Sequence, residues 1–255
     1  PDDDITLSYI RQSIPTNGAP LLTGTVENGP SNLSYNAAWL FAPGAVPLGR
    51  YRKQHLVPFG EYIPFDKDIP ALQRLAPTGV SCTPGDGPGL LTLSNPAHAD
   101  PLRIGPLICF EDTVPTLSRA AVRSGARLLA LMTNDAWFNG SCEPLQHQMQ
   151  AVLRAVENGV PMVRVGNSGV TCSVTPVGEV RRLEADGQVS DFSGFMTAQV
   201  PVPPSPLPAP YTRFGDWPLA IPGALLLLLL LHPPPPPPPP PQPPLSPPGI
   251  PLPSF

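Results

Sequence analysis

Apolar positions change their spacing several times along the chain, and each change predicts an element. Ile5, Tyr9, Ile10 and Ile14 recur at helical spacing in DITLSYIRQSI (4–14), which predicts a helix. APLLTGTVEN (19–28) and SYNAAWLFAP (34–43) read as strands on either side of a Gly-Pro-Ser-Asn turn. LRIGPLIC (102–109) is a short strand ending in a turn, and TVPTLSRAAVRSG (113–125) has the threonine cap, early proline and closing glycine of a helix. ARLLALMTND (126–135) is too apolar and too short for an exposed helix, so it predicts a strand buried on both faces. EPLQHQMQAVLRAVENG (143–159) predicts a helix, with Pro144 in its first turn and Gly159 at its end. Residues 160–180 read as two strands joined at Asn167-Ser168-Gly169, with a turn at Pro176-Val177-Gly178. Strands alternating with helices imply an α/β fold with helices covering a sheet, and the adjacent strand pairs imply a sheet that is not purely parallel.

Composition divides this picture unequally. Of the 42 prolines, 23 lie in the last 55 residues, where Arg213 and Asp216 are the only charged side chains. The core therefore belongs to residues 1–200, with 201–216 as a linker. WPLAIPGALLLLLLL (217–231) is apolar for 15 residues, short of the roughly 20 that cross a bilayer core, and Pro218 and Pro222 weaken its first turns. Its seven consecutive leucines read as a truncated transmembrane helix rather than a buried core helix. Pro233–Pro241 then force a polyproline II spacer, so 232–255 is a disordered Pro-rich tail. The chain opens Pro1-Asp2-Asp3-Asp4 without an initiator methionine and reads as a fragment.

The net charge of −4 comes without a lysine or arginine cluster, which excludes nucleic acid as a partner. Cys82, Cys109, Cys142 and Cys172 lack C-x-x-C spacing, so neither a zinc site nor a disulfide scaffold is expected.

Two stretches carry candidate chemistry. In LICFED (107–112), Cys109 stands at a strand-to-helix turn, where unpaired N–H groups stabilise a thiolate and later an oxyanion. A buried structural thiol fits the same turn. In YRKQHLVPFGEYIP (51–64), Lys53 and Glu61 flank a loop of Leu56, Val57, Pro58, Phe59, Tyr62 and Ile63 that is too apolar to remain solvated. A lysine at the edge of such a loop needs an anionic partner, and a thiolate would serve. His55 reads as solvated or as a hydrogen-bonding residue.

YRKQHLVPFGEYIP, ICFED, NDAWFNGSCEPLQHQMQAVLRAVENGVPMVRVGNSGVT and RFGDWPL together resemble, in order and spacing, the carbon-nitrogen hydrolase (nitrilase-like) domain of bacterial apolipoprotein N-acyltransferases. The likeness runs from about residue 19 to Leu219. It implies an αββα sandwich, incomplete at its N-terminus, on the outer, periplasmic face of the bacterial inner (cytoplasmic) membrane. It makes Cys109 the acyl-accepting nucleophile and Lys53 the cation that stabilises thiolate and oxyanion. Glu61 orients the lysine, and Glu111 matches the glutamate two places after the nucleophile. Phe110 stands where the family often has tyrosine. The family's general base, a glutamate in a W-P-E strand end, matches nothing in this sequence, so this chain on its own is expected to be inactive. The implied partners are a membrane phospholipid as acyl donor and the apolipoprotein N-terminus as acceptor, with no cofactor and no metal, acting as a monomer.

Other polar and aromatic positions support either function or packing. Trp137 and Phe138 line the substrate pocket with Phe110, or simply pack. Asn134 and Asp135 are expected to bond the backbone of their turn, His147 to be capped or packed, and Arg154 and Glu157 to form a surface pair. Two competing readings remain: a soluble nitrilase-type amidase with water as acyl acceptor, and a non-catalytic extracytoplasmic module whose proline tail binds a partner groove.

Overall fold

The computed structural model describes residues 18–231, apart from 31–32, 66–67, 70, 73–80, 95–99, 139 and 208, together with residues 8, 10, 12 and 14. Most of the helix expected over 4–14, and all of the Pro-rich tail, lie outside the described residues. The chain divides into two compact units, Pro1–Gly215 and Asp216–Phe255.

The first unit holds two sheets. Strands β1 (Leu21–Asn28), β2 (Ser34–Ala42) and β3 (Val46–Arg52) form an antiparallel three-stranded sheet. The second sheet runs in sequence order from β4 (Leu91–Leu93) through β5 (Leu102–Ile108), β6 (Leu128–Asn134), β7 (Met162–Asn167) and β8 (Cys172–Val174) to β9 (Val180–Arg182). Its centre, β5-β6-β7, is parallel, and β4, β8 and β9 add antiparallel flanks. The mixed sheet expected from the strand pairs is therefore present.

Side-chain alternation explains how the layers stack. Ile104 of β5 and Ala130 of β6 pack on Leu40 of β2 and Leu91 of β4, so the two sheets meet face to face. The alternate residues of the same strands, Leu107 of β5 and Leu129 and Leu131 of β6, point the other way. They meet Ala121 and Val122 of helix α1 (Pro115–Arg123) and Ala151 and Ala155 of helix α2 (Glu143–Asn158). The unbroken apolar run of β6 is thus used on both faces. Ile10 and Ile14 pack on Phe41 and Ala45 at the three-stranded sheet.

Helix ends follow their signals with one exception. Gly159 closes α2 in the left-handed conformation, and Pro144 sits in its first turn. Helix α1 is not capped by Thr113: Val114 occupies that position, and Thr113 belongs to a 3-10 turn, Cys109–Thr113, where its hydroxyl donates to the Phe110 carbonyl. The expected linker is docked at Leu207 and over 210–214. Leu207 N–H donates to Gly159 O, the Thr212 hydroxyl to Glu157 O, and Arg119 grips the carbonyls of Tyr211, Thr212 and Arg213 at helix α3 (Pro210–Phe214).

In the second unit, a 3-10 turn, Trp217–Leu219, leads into helix α4 (Ala220–Leu231). Leu225–Leu231 are all more than half exposed. Twelve residues span about 18 Å, against about 30 Å of bilayer hydrocarbon. Among the described residues no helix is long and apolar enough to cross a membrane.

Candidate active site

Lys53 leaves the end of β3, tied into the backbone at both ends: its N–H donates to Asn36 O and its carbonyl accepts from Gly85 N–H. Its side chain is wholly buried, and Nζ lies 2.8 Å from Glu61 Oε1 and 2.8 Å from Oε2. Glu61 is itself held by Asn36 Nδ2 and by Val57 N–H, each at 2.8 Å. The loop between them turns inward at Leu56 and Ile63, while Phe59, expected to be buried with them, is 62% exposed. A buried lysine is tolerated where a carboxylate pairs with it and the remaining polar atoms are satisfied, and Asn36 and Val57 hold Glu61 in place to do so.

Cys109 follows the last residue of β5 and starts the 3-10 turn with φ of +51°. A non-glycine side chain in that region is strained and persists where its surroundings hold it. Its neighbours do so. The buried Glu111 carboxylate accepts from the Tyr51 hydroxyl at 2.8 Å, from Gln54 N–H at 2.7 Å, from His55 N–H at 3.1 Å and from Ile108 N–H at 2.8 Å. One carboxylate therefore joins the 51–55 segment that carries Lys53 to the turn that carries Cys109. The half-buried Cys109 packs on Ala38, Tyr51 and Ile108, and the His55 ring stacks on Phe110 with centroids 6.2 Å apart. Burial pushes the Glu111 carboxyl up, against the pull of its N–H and hydroxyl donors, and burial together with Glu111 pushes the Tyr51 hydroxyl up.

A cavity of about 430 Å³ opens beside this assembly, lined by Gln54, His55, Leu56, Tyr62, Ile63 and Cys82 among others. Cys82 N–H donates to Glu61 O. Burial, then the Glu61 charge, push the Cys82 thiol up, and Lys53 pulls it back. Phe110, Trp137 and Phe138 do not line this cavity; they are 44%, 68% and 41% exposed.

Behind the turn lies a second polar cluster. The buried His147 faces Asp112 with Nε2 at 2.8 Å and Asp135 with Nδ1 at 3.1 Å. Arg164 donates to Asp135 Oδ2 at 2.8 Å, and the Thr133 hydroxyl to Asp135 Oδ1. Asp135 thus bonds side chains rather than the turn backbone, which Asn134 serves through Ala136 N–H. Arg154 is buried as well, not at the surface: besides Glu157 it donates to the Asp112 carbonyl at 2.9 Å. Asp135, Glu143 and His147 present ligand atoms within 4.8 Å of one another. With Asp135 engaged by Arg164, Thr133 and His147, and His147 spanning two carboxylates, this is an ion-pair network and not a free chelate.

Sequence reasoning missed Asn36, Tyr51 and Asp112. Tyr51 had a signal, since it lies two residues before Lys53 on an extended strand and so shares its face.

The carbon-nitrogen hydrolase family profile matches residues 3–200, most of the chain. The chain belongs to that family. It is 44% identical over 158 residues to an apolipoprotein N-acyltransferase of Geobacter metallireducens, covering 62% of this chain and 29% of the relative. It is 31% identical over 228 residues to the apolipoprotein N-acyltransferase of Rickettsia typhi, covering 87% of this chain and 43% of the relative. The chain therefore spans less than half the length of these relatives. In fold it resembles a branch 10 member of the nitrilase superfamily from Saccharomyces cerevisiae, with a TM-score of 0.52 at 18% identity over 71% of this chain and 61% of the other.

Proposed function

We propose that this chain is the catalytic domain of an apolipoprotein N-acyltransferase, and that Cys109 carries the acyl group between donor and acceptor. The observation that carries the reading is the Glu111 carboxylate, which binds the Lys53 segment and the Cys109 turn into one unit.

The Cys109 sulfur attacks the ester carbonyl of a phospholipid, and the tetrahedral oxyanion forms beside the Lys53 ammonium, which Glu61 holds in place. Collapse breaks the ester C–O bond, releases a lysophospholipid and leaves a thioester. The α-amine of a lipoprotein's diacylglyceryl-cysteine then attacks the thioester, forms an amide and returns the thiol. The group that takes the thiol proton, and later the ammonium proton, is the family's W-P-E glutamate, which matches no position in this sequence. The exposed Phe110, Trp137 and Phe138 fit the edge of a site that receives apolar chains. The leucine-rich helix fits the stub of a membrane anchor that holds the domain at the periplasmic face of the inner membrane.

The test incubates the complete gene product with phospholipid vesicles and a diacylglyceryl lipopeptide. N-acylated lipopeptide and lysophospholipid in equal amounts are expected, with both lost in Cys109→Ala and reduced at least 100-fold in Lys53→Met. Free fatty acid without N-acylated lipopeptide would assign the site to hydrolysis instead.

A further inference from the structure

The cluster behind Cys109 has a geometry that the reaction as described does not use. The two acidic residues after the cysteine point in opposite directions. Glu111 ties the turn to the Lys53 segment, while Asp112 ties it to α2, through His147 Nε2 at 2.8 Å and through Arg154 to the Asp112 carbonyl at 2.9 Å. The other nitrogen of His147 meets Asp135 at the end of β6 at 3.1 Å. An imidazole flanked by carboxylates on both nitrogens is a double donor, which requires its protonated form. Among the described residues the charged groups around it are Asp112 on the turn, Asp135 after β6, Glu143 on its own helix at 3.8 Å, Arg164 of β7 on the far oxygen of Asp135, and Arg154 on the Asp112 backbone.

We infer that His147 is a positioning residue for acyl transfer: a buried imidazolium that clamps Asp112 to Asp135 and so holds the strained turn that presents the Cys109 sulfur. It touches neither substrate nor sulfur. Its action passes through Asp112 and the backbone of residues 109–112, where φ of +51° at Cys109 would otherwise relax. Burial opposes the charge on His147, but the bonds from Asp112 and Asp135 overcome it and push the group up to about 10. Burial likewise raises Asp135, and the bonds from His147, Thr133 and Arg164 reverse this and hold it at about 2. Asp112 is pushed up by burial and pulled back by His147, so the pair is held by one shared charge-assisted bond.

The inference rests on the acyl-transfer reading, and two readouts separate the two. In the complete gene product, the single-turnover rate of Cys109 acylation by phospholipid and the rate of Cys109 alkylation by iodoacetamide are compared between wild type and His147→Gln. Both rates are expected to fall at least tenfold, with the phospholipid KM within twofold. Asp112→Asn added to His147→Gln is expected to cost little more, because the two act as one unit. An alkylation rate within twofold of wild type, or additive losses in the double variant, would overturn the inference. Where His147→Gln does not fold, Asp135→Asn supplies the test. With one carboxylate removed, His147 titrates nearer its ordinary range, and the acylation rate is expected to decline between pH 6.5 and 9 where that of wild type does not. A variant profile that parallels wild type would refute the clamp. Absence of any acyl adduct in wild type counts against the acyl-transfer reading itself, and the alkylation rates then still decide the role of His147.

Discussion

At the scale of single residues, the account depends on two carboxylates that serve the cysteine turn without reacting. Replacing Glu111 by alanine strands the Tyr51 hydroxyl and three backbone N–H groups in a buried space. The expected loss is about 3–5 kcal/mol of stability, since each unpartnered buried donor costs about 1–3 kcal/mol and the costs overlap. Urea unfolding followed by tryptophan fluorescence measures it; a loss under about 1 kcal/mol would mean that water replaces the carboxylate. His147 makes a prediction in pH. Its folded value of about 10 lies above the ordinary value of about 6.5, so its stabilisation is fully present below about pH 6.5 and is lost as pH rises toward 10. The unfolding free energy of the wild type, from urea titrations, should fall across pH 7–9 by at most about 1.4 kcal/mol per pH unit, and His147→Gln should flatten that slope. Cys109, Lys53, Glu61 and Glu111 stood out in sequence as candidates through the two stretches that carry the family resemblance, and of the relations expected among them the structure shows the Lys53–Glu61 pair. Asn36 and Asp112 did not stand out, because their roles arise from partners 25 and 35 positions away. His147 was read as packed, and it is; its two carboxylate neighbours come from separate elements that no spacing on α2 could reveal.

Among the elements, apolar runs that use both faces were the easiest to read. β5 and β6 are buried on both sides, and their alternate residues divide between sheet and helices. β4 and β9 escaped notice because three residues are too few to show a period. The start of α1 was misplaced because a threonine before a proline imitates a cap, while the backbone here first completes the 3-10 turn that carries the cysteine. Gly105 shows how closely β5 fits α1. A Cβ there would lie 2.9 Å from Ala121 Cβ, 3.0 Å from Leu129 Cδ2 and 3.1 Å from Ala126 Cβ. Gly105→Ala should therefore cost about 1–3 kcal/mol by overpacking and slow Cys109 alkylation, since β5 ends at the residue before the cysteine. A stable variant with normal alkylation would show that the helix yields without moving the strand end.

For the molecule as a whole, the two units make separate claims. The αβ unit continues through Gly215, because Leu207 and residues 211–213 are bonded to α1 and to α2 with its closing Gly159 rather than trailing free. Ending the chain after Gly215 should leave the melting temperature of that unit within about 2 °C and remove the need for detergent, which the exposed leucines of α4 otherwise impose. A large loss of melting temperature would mean that the second unit supports the first. The central claim concerns the sulfur of Cys109, and peptide mass spectrometry tests it most directly. After incubation of the complete gene product with a phospholipid of defined chain length and no acceptor, the account predicts that chain as a hydroxylamine-labile adduct on the peptide containing Cys109. An unmodified Cys109 peptide, or an adduct on Cys82 instead, would contradict it.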